Sequence, residues 1–210
     1  CGYAASLDEI YEMLHQDGIS QEDCLAWREY EFSWEEKVSY PRKRMVDALV
    51  FAKGLGKQVY LTSDMYLSKR EMEQLLARKG IFGYDGLLIS CEEKLEKSDG
   101  RLYKVLLAEA AGKSLLHIGD NRYSDIDMAN RMGIDTWQIW SAYDLFMAST
   151  VHNLLSGETA GLGMRLSLGQ LSARLFADPF ALHETRGRLS LTTSEGIACF
   201  LGPWVLAFMQ

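Results

Sequence analysis

The chain has no excess of positive charge: 22 Lys and Arg stand against 29 Asp and Glu, for a formal net charge of -7 and a pI near 5.2. A nucleic-acid surface or a polybasic membrane anchor needs clustered Lys and Arg, so neither is expected. Cysteine is sparse and scattered, with Cys1, Cys24, Cys91 and Cys199 forming no Cys-x-x-Cys pair and no metal-spaced set with His. Free thiols in a reducing cytoplasm are therefore expected. Long apolar runs are missing as well. The most apolar stretch, Ile197 to Met209, carries a Gly-Pro step and falls short of the ~20 residues a transmembrane span requires. The start shows neither a signal peptide nor a transit sequence, and because it opens on Cys1 rather than Met the sequence reads as an N-terminally shortened piece.

What is present is a globular composition, 210 residues with 48% hydrophobic content, enough to bury a sizeable core. Ser6-Leu7-Asp8-Glu9 reads as a capping box, followed by Leu7, Ile10, Tyr11 and Leu14 at helical spacing and Gly18 as a stop. Ser20 opens an acid-rich stretch holding Trp27, Tyr30 and Trp34 on a helical period, closed by Tyr40-Pro41. Residues 1–42 are thus expected to form a small helical subdomain.

From Lys43 the pattern becomes alternating. A helix through Met45, Val46, Leu49 and Ala52 precedes a β-rich run from Gln58 to Thr62. A second capping box, Ser68 to Glu71, starts a helix ending at Gly80, before a strand-like run from Gly86 to Ser90. Leu102 to Ala111 reads as helix, Ser114 to Ile118 as a buried strand, Ser124 to Met132 as helix and Asp135 to Trp140 as strand. Strands alternating with helices predict an α/β fold built on a doubly wound parallel sheet over residues 43–148. Residues 149–210, with several glycines and no repeat, are expected to be an annex or the start of a further domain.

Ligands of such sheets gather at the carboxyl ends of the strands. There the sequence sets Ser63-Asp64, then Lys94 and Lys97, then Gly119-Asp120-Asn121 with Ser124-Asp125. A hydroxyl at a strand-to-loop turn can donate to a phosphoryl oxygen, a lysine offers a compact point charge, and two carboxylates across a tight turn can approach one hard cation. Taken singly, each has a plainer role: Ser63 as a turn residue, Lys97 as a solvated charge, Asp125 as the acid at a helix start. Their placement after three successive strands is what suggests phosphate with a divalent cation.

The runs Val59-Tyr60-Leu61-Thr62-Ser63-Asp64-Met65-Tyr66-Leu67, Lys97-Ser98-Asp99-Gly100 and His117-Ile118-Gly119-Asp120-Asn121 with Ser124-Asp125 resemble the second, third and fourth motifs of the HAD (haloacid dehalogenase-like) superfamily. In particular they are similar to those of bacterial HAD-like hydrolases found in, or beside, glycosyltransferase proteins. The resemblance spans roughly residues 5–145. It implies a Rossmannoid HAD-like core with a small helical cap over residues 1–42, and Mg²⁺-dependent hydrolysis of a phosphate monoester such as a sugar phosphate. It further implies that Ser63, rather than Thr62, binds the phosphoryl group, that Lys97 neutralises it, that Asp64 and Asn121 lie against substrate, and that Asp120 and Asp125 hold Mg²⁺. His117 is expected to be a strand residue rather than a ligand.

One family feature has no counterpart. The first motif, a hydrophobic strand ending in Asp-x-Asp-x-Thr or Ser, supplies the nucleophile and the general acid and base, and Asp8, inside a capping box, is a poor substitute. The missing strand would be central in the sheet, beside those ending at Ser63 and Asp120. The 210 residues are therefore expected to be inactive alone. Two other readings compete: a non-catalytic HAD-like interaction or regulatory module of a glycosyltransferase, and a phosphoacceptor domain of the response-regulator kind. The second of these lacks an acceptor Asp in the right order.

Overall fold

A computed structural model of the chain describes residues 4–149, 169, 173 and 176–180. Cys1, Cys199, the apolar stretch 197–209 and nearly all of the expected annex lie outside the described residues. The chain divides into two compact units, one comprising Cys1–Pro41 and Val46–Gln138, the other Arg42–Met45 and Ile139–Gln210.

In the first unit, α1 (Leu7–Gln16) and α2 (Gln21–Val38) are followed by α3 (Lys43–Gly54), which starts in the second unit, and then by β1 (Tyr60–Ser63), α4 (Lys69–Arg78), β2 (Gly86–Ile89), a single turn α5 (Ser90–Glu93), α6 (Arg101–Glu109) and β3 (Leu116–Gly119). A π-helical turn, Arg122–Asp127, runs into α7 (Met128–Arg131) before β4 (Asp135–Gln138). Both capping boxes form: the Ser6 and Ser68 hydroxyls accept from the Glu9 and Glu71 backbone N–H groups, and each glutamate reaches back to its cap. α1 ends just before Gly18, at φ 103°, a left-handed turn that glycine adopts without strain.

The strands form two small parallel sheets. β1 pairs with β2 in the register Tyr60 to Gly86 and Ser63 to Ile89, and β3 pairs with β4 in the register Leu116 to Asp135 and Gly119 to Gln138. Among the described residues no ladder joins the two pairs, so the α/β character and the parallel strands are present, whereas a continuous doubly wound sheet is not.

β2 is covered on both faces. Leu88 packs with Leu102, Tyr103, Leu106, Ala129 and Ile134, a cluster drawing on α6, α7 and the entry to β4. Leu87 and Ile89 face the other way, toward Met72 and Leu76 of α4. The sheet β3–β4 is covered on one face only: Leu116, Ile118 and Trp137 stay 56%, 40% and 50% exposed. The expectation of a buried strand at Ser114 to Ile118 is corrected accordingly, because no described helix lies over that face.

The first helices are anchored to the rest of this unit. Leu7 is buried with Leu67 and Leu75, and Arg28 of α2 pairs with Asp8 of α1 and, at 2.7 Å, with Glu71 of α4. Trp27, Tyr30 and Trp34, in contrast, lie on the exposed side of α2. In the second unit, α8 (Ala142–Ala148) carries its own capping box from Ser141 to Asp144 and buries Leu145. Among the described residues no helix is long and apolar enough to cross a membrane.

Candidate functional site

The loops after β1, β2 and β3 meet. Lys97, in the loop after α5, donates its backbone N–H to Asp64 Oδ1 at 3.0 Å and its ammonium to Asp125 Oδ1 at 2.6 Å. One residue thereby ties the end of β1 to the turn after β3. The ion pair is sheltered, with the Lys97 and Asp125 side chains 11% and 6% exposed.

Asp125 is aimed at this point by local backbone geometry. Asn121 Oδ1 accepts from the N–H groups of Tyr123 and Ser124, each at 3.0 Å, and so caps the π-helical turn. The Asn121 N–H donates to Asp125 Oδ2 at 3.1 Å, and the Met128 N–H reaches back to the Tyr123 carbonyl, five residues earlier. The fold of the turn brings the carboxylate against Gly119, where a Cβ would lie 2.4 Å from Asp125 Cγ. Glycine is needed here for close approach.

His117 Nε2 stands 3.3 Å from Asp125 Oδ1, and its ring meets Tyr103 edge to face at 5.2 Å. The fully buried Tyr103 donates its hydroxyl to the Ser124 carbonyl at 2.8 Å. Burial works to raise the Asp125 carboxyl, but the His117 and Lys97 hydrogen bonds, the Lys97 charge and the Asn121 N–H hold it well below the usual carboxylate range. Asp64 moves the other way: desolvation raises it, with opposition from the Lys97 N–H and charge.

Of the residues expected at the site, Asp64, Lys97 and Asp125 are brought into one hydrogen-bonded group. Asn121 lines the adjoining cleft, with its oxygen engaged as a cap. Ser63 is half-buried at the last position of β1, and Asp120 is exposed just past β3. Lys94, the other candidate lysine, turns away to pair with Glu9. His117 is a strand residue as expected, but it also touches the key carboxylate.

The cleft beside the pair has a volume of about 400 Å³ and is lined by Asp64, Tyr66, Ser90, Glu96, Asn121 and Tyr123 among others. The sequence alone assigns no role to Ser90, Glu96 or Tyr123, and Tyr66 stands in the second motif-like run without one. The strand-end argument extends to Ser90, which comes directly after β2 and donates its hydroxyl toward the Met65 carbonyl while accepting the Met65 N–H.

Among the described residues no three His, Cys, Asp or Glu side chains are clustered to hold a metal ion. Mg²⁺ accepts one or two carboxylates with waters and phosphate oxygens; of the two carboxylates expected to hold it, Asp125 is sheltered and paired with Lys97, and Asp120 is exposed. No protein-family model matches the chain, and no curated protein matches it.

Proposed function

We propose that the chain is the larger part of a HAD-like phosphohydrolase domain with a Rossmannoid core, whose cleft handles a phosphate monoester together with Mg²⁺ and which does not turn over by itself. The observation that carries this reading is the Lys97 bridge, which gathers the second, third and fourth motif-like segments at one point between strand ends. The sheet topology supports it further: among the described residues β1 and β3 each pair along a single edge, as they would in a sheet lacking its central, nucleophile-bearing strand. The two described cysteines are free and buried, in keeping with a cytoplasmic setting. A sugar phosphate as substrate and a glycosyltransferase domain as neighbour rest on the resemblance alone.

The ion pair makes the two ligands depend on each other. Asp125 is spoken for by Lys97, and the Lys97 charge is neutralised by Asp125, so cation alone and phosphate alone are each weakly held. Together they divide the pair: Asp120 and Asp125 with waters would hold the cation, and Lys97 with Ser63 would take the phosphate. The bound cation would neutralise phosphoryl oxygens as a Lewis acid.

Calorimetric titration of Mg²⁺ and inorganic phosphate, each alone and each with the other present, tests this. Each should raise the affinity of the other by ~5-fold or more, within the ordinary range of coupling between sites, and Lys97→Met, which frees Asp125, should reduce the effect to what direct contact between cation and phosphate supplies. Independent binding, or coupling left unchanged by Lys97→Met, would overturn the reading. A HAD-like interaction or regulatory module of a glycosyltransferase is the second reading, favoured by the three groups within the chain that already engage Asp125. A chain that binds neither ligand under any combination would support it.

A further inference from the structure

We propose that the exposed seam of α2 pairs with the same seam of a second copy of this chain, in antiparallel orientation. Along α2 the residues Asp23, Trp27, Tyr30, Trp34 and Lys37 succeed one another at intervals of four, three, four and three. This is the a/d repeat of a coiled-coil seam, a narrow stripe that faces one partner helix. All five are exposed, with Trp27 at 49%, Tyr30 at 62% and Trp34 at 42%.

These aromatics are not serving the core of their own unit. α2 meets it through another side, where Cys24 is buried, Arg28 pairs with Asp8 and Glu71, and Glu31 accepts from Tyr11 at 2.7 Å. Within the seam the rings are already organised: Tyr30 and Trp34 meet edge to face at 6.0 Å, and Lys37 lies 5.1 Å above the Trp34 ring. One flank carries Ala26 and Ser33, side chains too short to hold a second helix away.

Charge selects both the occupant and its direction. The seam begins on an acid, Asp23, and ends on a base, Lys37, with three aromatic rings between. A parallel pair would set Asp23 on Asp23 and Lys37 on Lys37. In an antiparallel pair the registers that align a with d positions set Trp27 against Tyr30, or Tyr30 against Trp34, of the other copy. In both registers Lys37 comes within about one helical turn, ~5 Å, of Asp23 of the second copy, inside the reach of its side chain. The surface is therefore self-complementary about a two-fold axis, the property an isologous dimer requires.

The three rings expose roughly 300 Å² per copy, taking about 200 Å² for each aromatic side chain. Doubled and given a polar rim, this stays below the ~1,200 Å² at which stable interfaces begin. The dimer is accordingly weak and populated only at high concentration.

Sedimentation velocity on the full chain, over two decades of concentration up to about 0.5 mM, within the range where weak pairs form, gives the test. A reversible dimer is expected, and Trp27→Ala with Trp34→Ala should raise its dissociation constant at least ~tenfold, as loss of buried aromatic anchors does. Lys37→Asp should weaken it as well, and Lys37→Asp combined with Asp23→Lys should restore it, with circular dichroism confirming an intact fold throughout. A chain that stays monomeric over the whole range overturns the proposal, including one whose seam binds some other protein instead. A dimer indifferent to the tryptophan changes overturns it too. A dimer that the double charge reversal fails to restore overturns the antiparallel arrangement.

Discussion

Replacing Lys97 with Met should destabilise the fold in a way that depends on pH. The substitution keeps the length and the apolar stem of the side chain but removes the charge that faces Asp125 at 2.6 Å. Asp125 is 6% exposed on its side chain, and deleting one partner of a buried ion pair costs about 3–5 kcal/mol, because the remaining charge is left uncompensated. The His117 ring and the Asn121 N–H still contact the carboxylate, which places the expected loss near the lower figure, about 3 kcal/mol. For a chain of this size that corresponds to a fall in Tm of about 6–12 °C.

The direction of the shift sets the sign of the pH dependence. In the native protein the Asp125 carboxyl is held below its ordinary value, so its contribution is fully present above about pH 4, the unfolded value for Asp, and is lost as pH falls toward the folded value. Without Lys97, burial is less opposed and Asp125 takes up a proton at higher pH. The penalty of the substitution should therefore be largest at pH 7 and shrink toward pH 4, as the carboxyl becomes neutral in the variant. Urea denaturation of both proteins at pH 7 and at pH 4 measures this. A difference below about 0.5 kcal/mol at pH 7, the size of an ordinary surface change, would refute the account of a sheltered pair, and so would an equal penalty at both pH values.

Two further outcomes are expected. Gly119→Ala would place a Cβ 2.4 Å from Asp125 Cγ, so it should cost about 1–3 kcal/mol as overpacking and move the Asp125 carboxyl in a carbon-detected NMR titration; an unchanged titration would contradict the close approach. The chain by itself should show no phosphatase activity on an aryl phosphate with Mg²⁺, and turnover that survives repurification but disappears in Asp120→Asn would show that a nucleophile is present after all.

The order of helices and strands was legible because its punctuation is local. Ser6 with Glu9 and Ser68 with Glu71 are cap and counter-cap within one turn, and Gly18, Gly80, Gly112 and Gly133 end helices at positive φ. The strand-end rule likewise led to Asp64, Lys97 and Asp125, since parallel strands set their outgoing loops on one side. What covers each face was not legible. A helical period such as Trp27, Tyr30 and Trp34 reports that three residues share a side and not which side is buried, and the apolar run at β3 looks the same whether or not a helix lies over it. The partner of Lys97 was also hidden. The resemblance placed Asp125 against a cation, whereas the nearest positive charge in this fold is the ammonium of Lys97 itself. The part played by His117 depends on β3 alternation bringing it onto the face that Asp125 occupies, which spacing alone does not show.

The π-helical turn at Arg122–Asp127 bears on how this segment tolerates change in length. The Met128 N–H bonds five residues back, to Tyr123, so the turn holds one residue more than a regular helix would. A one-residue deletion there is the rare kind that mends a helix instead of breaking it, and each residue removed rotates the downstream part of the helix by about 100°. Applied ahead of Asp125, such a deletion would swing the carboxylate out of line with Gly119 and Lys97 while leaving the hydrogen-bond ladder regular. The position of this carboxylate is thus encoded by a count of residues as much as by their identities. A chain that loses a single residue between Asn121 and Asp125 would keep Asp64, Lys97 and Asp125 themselves, and would still lose the point where the three loops meet.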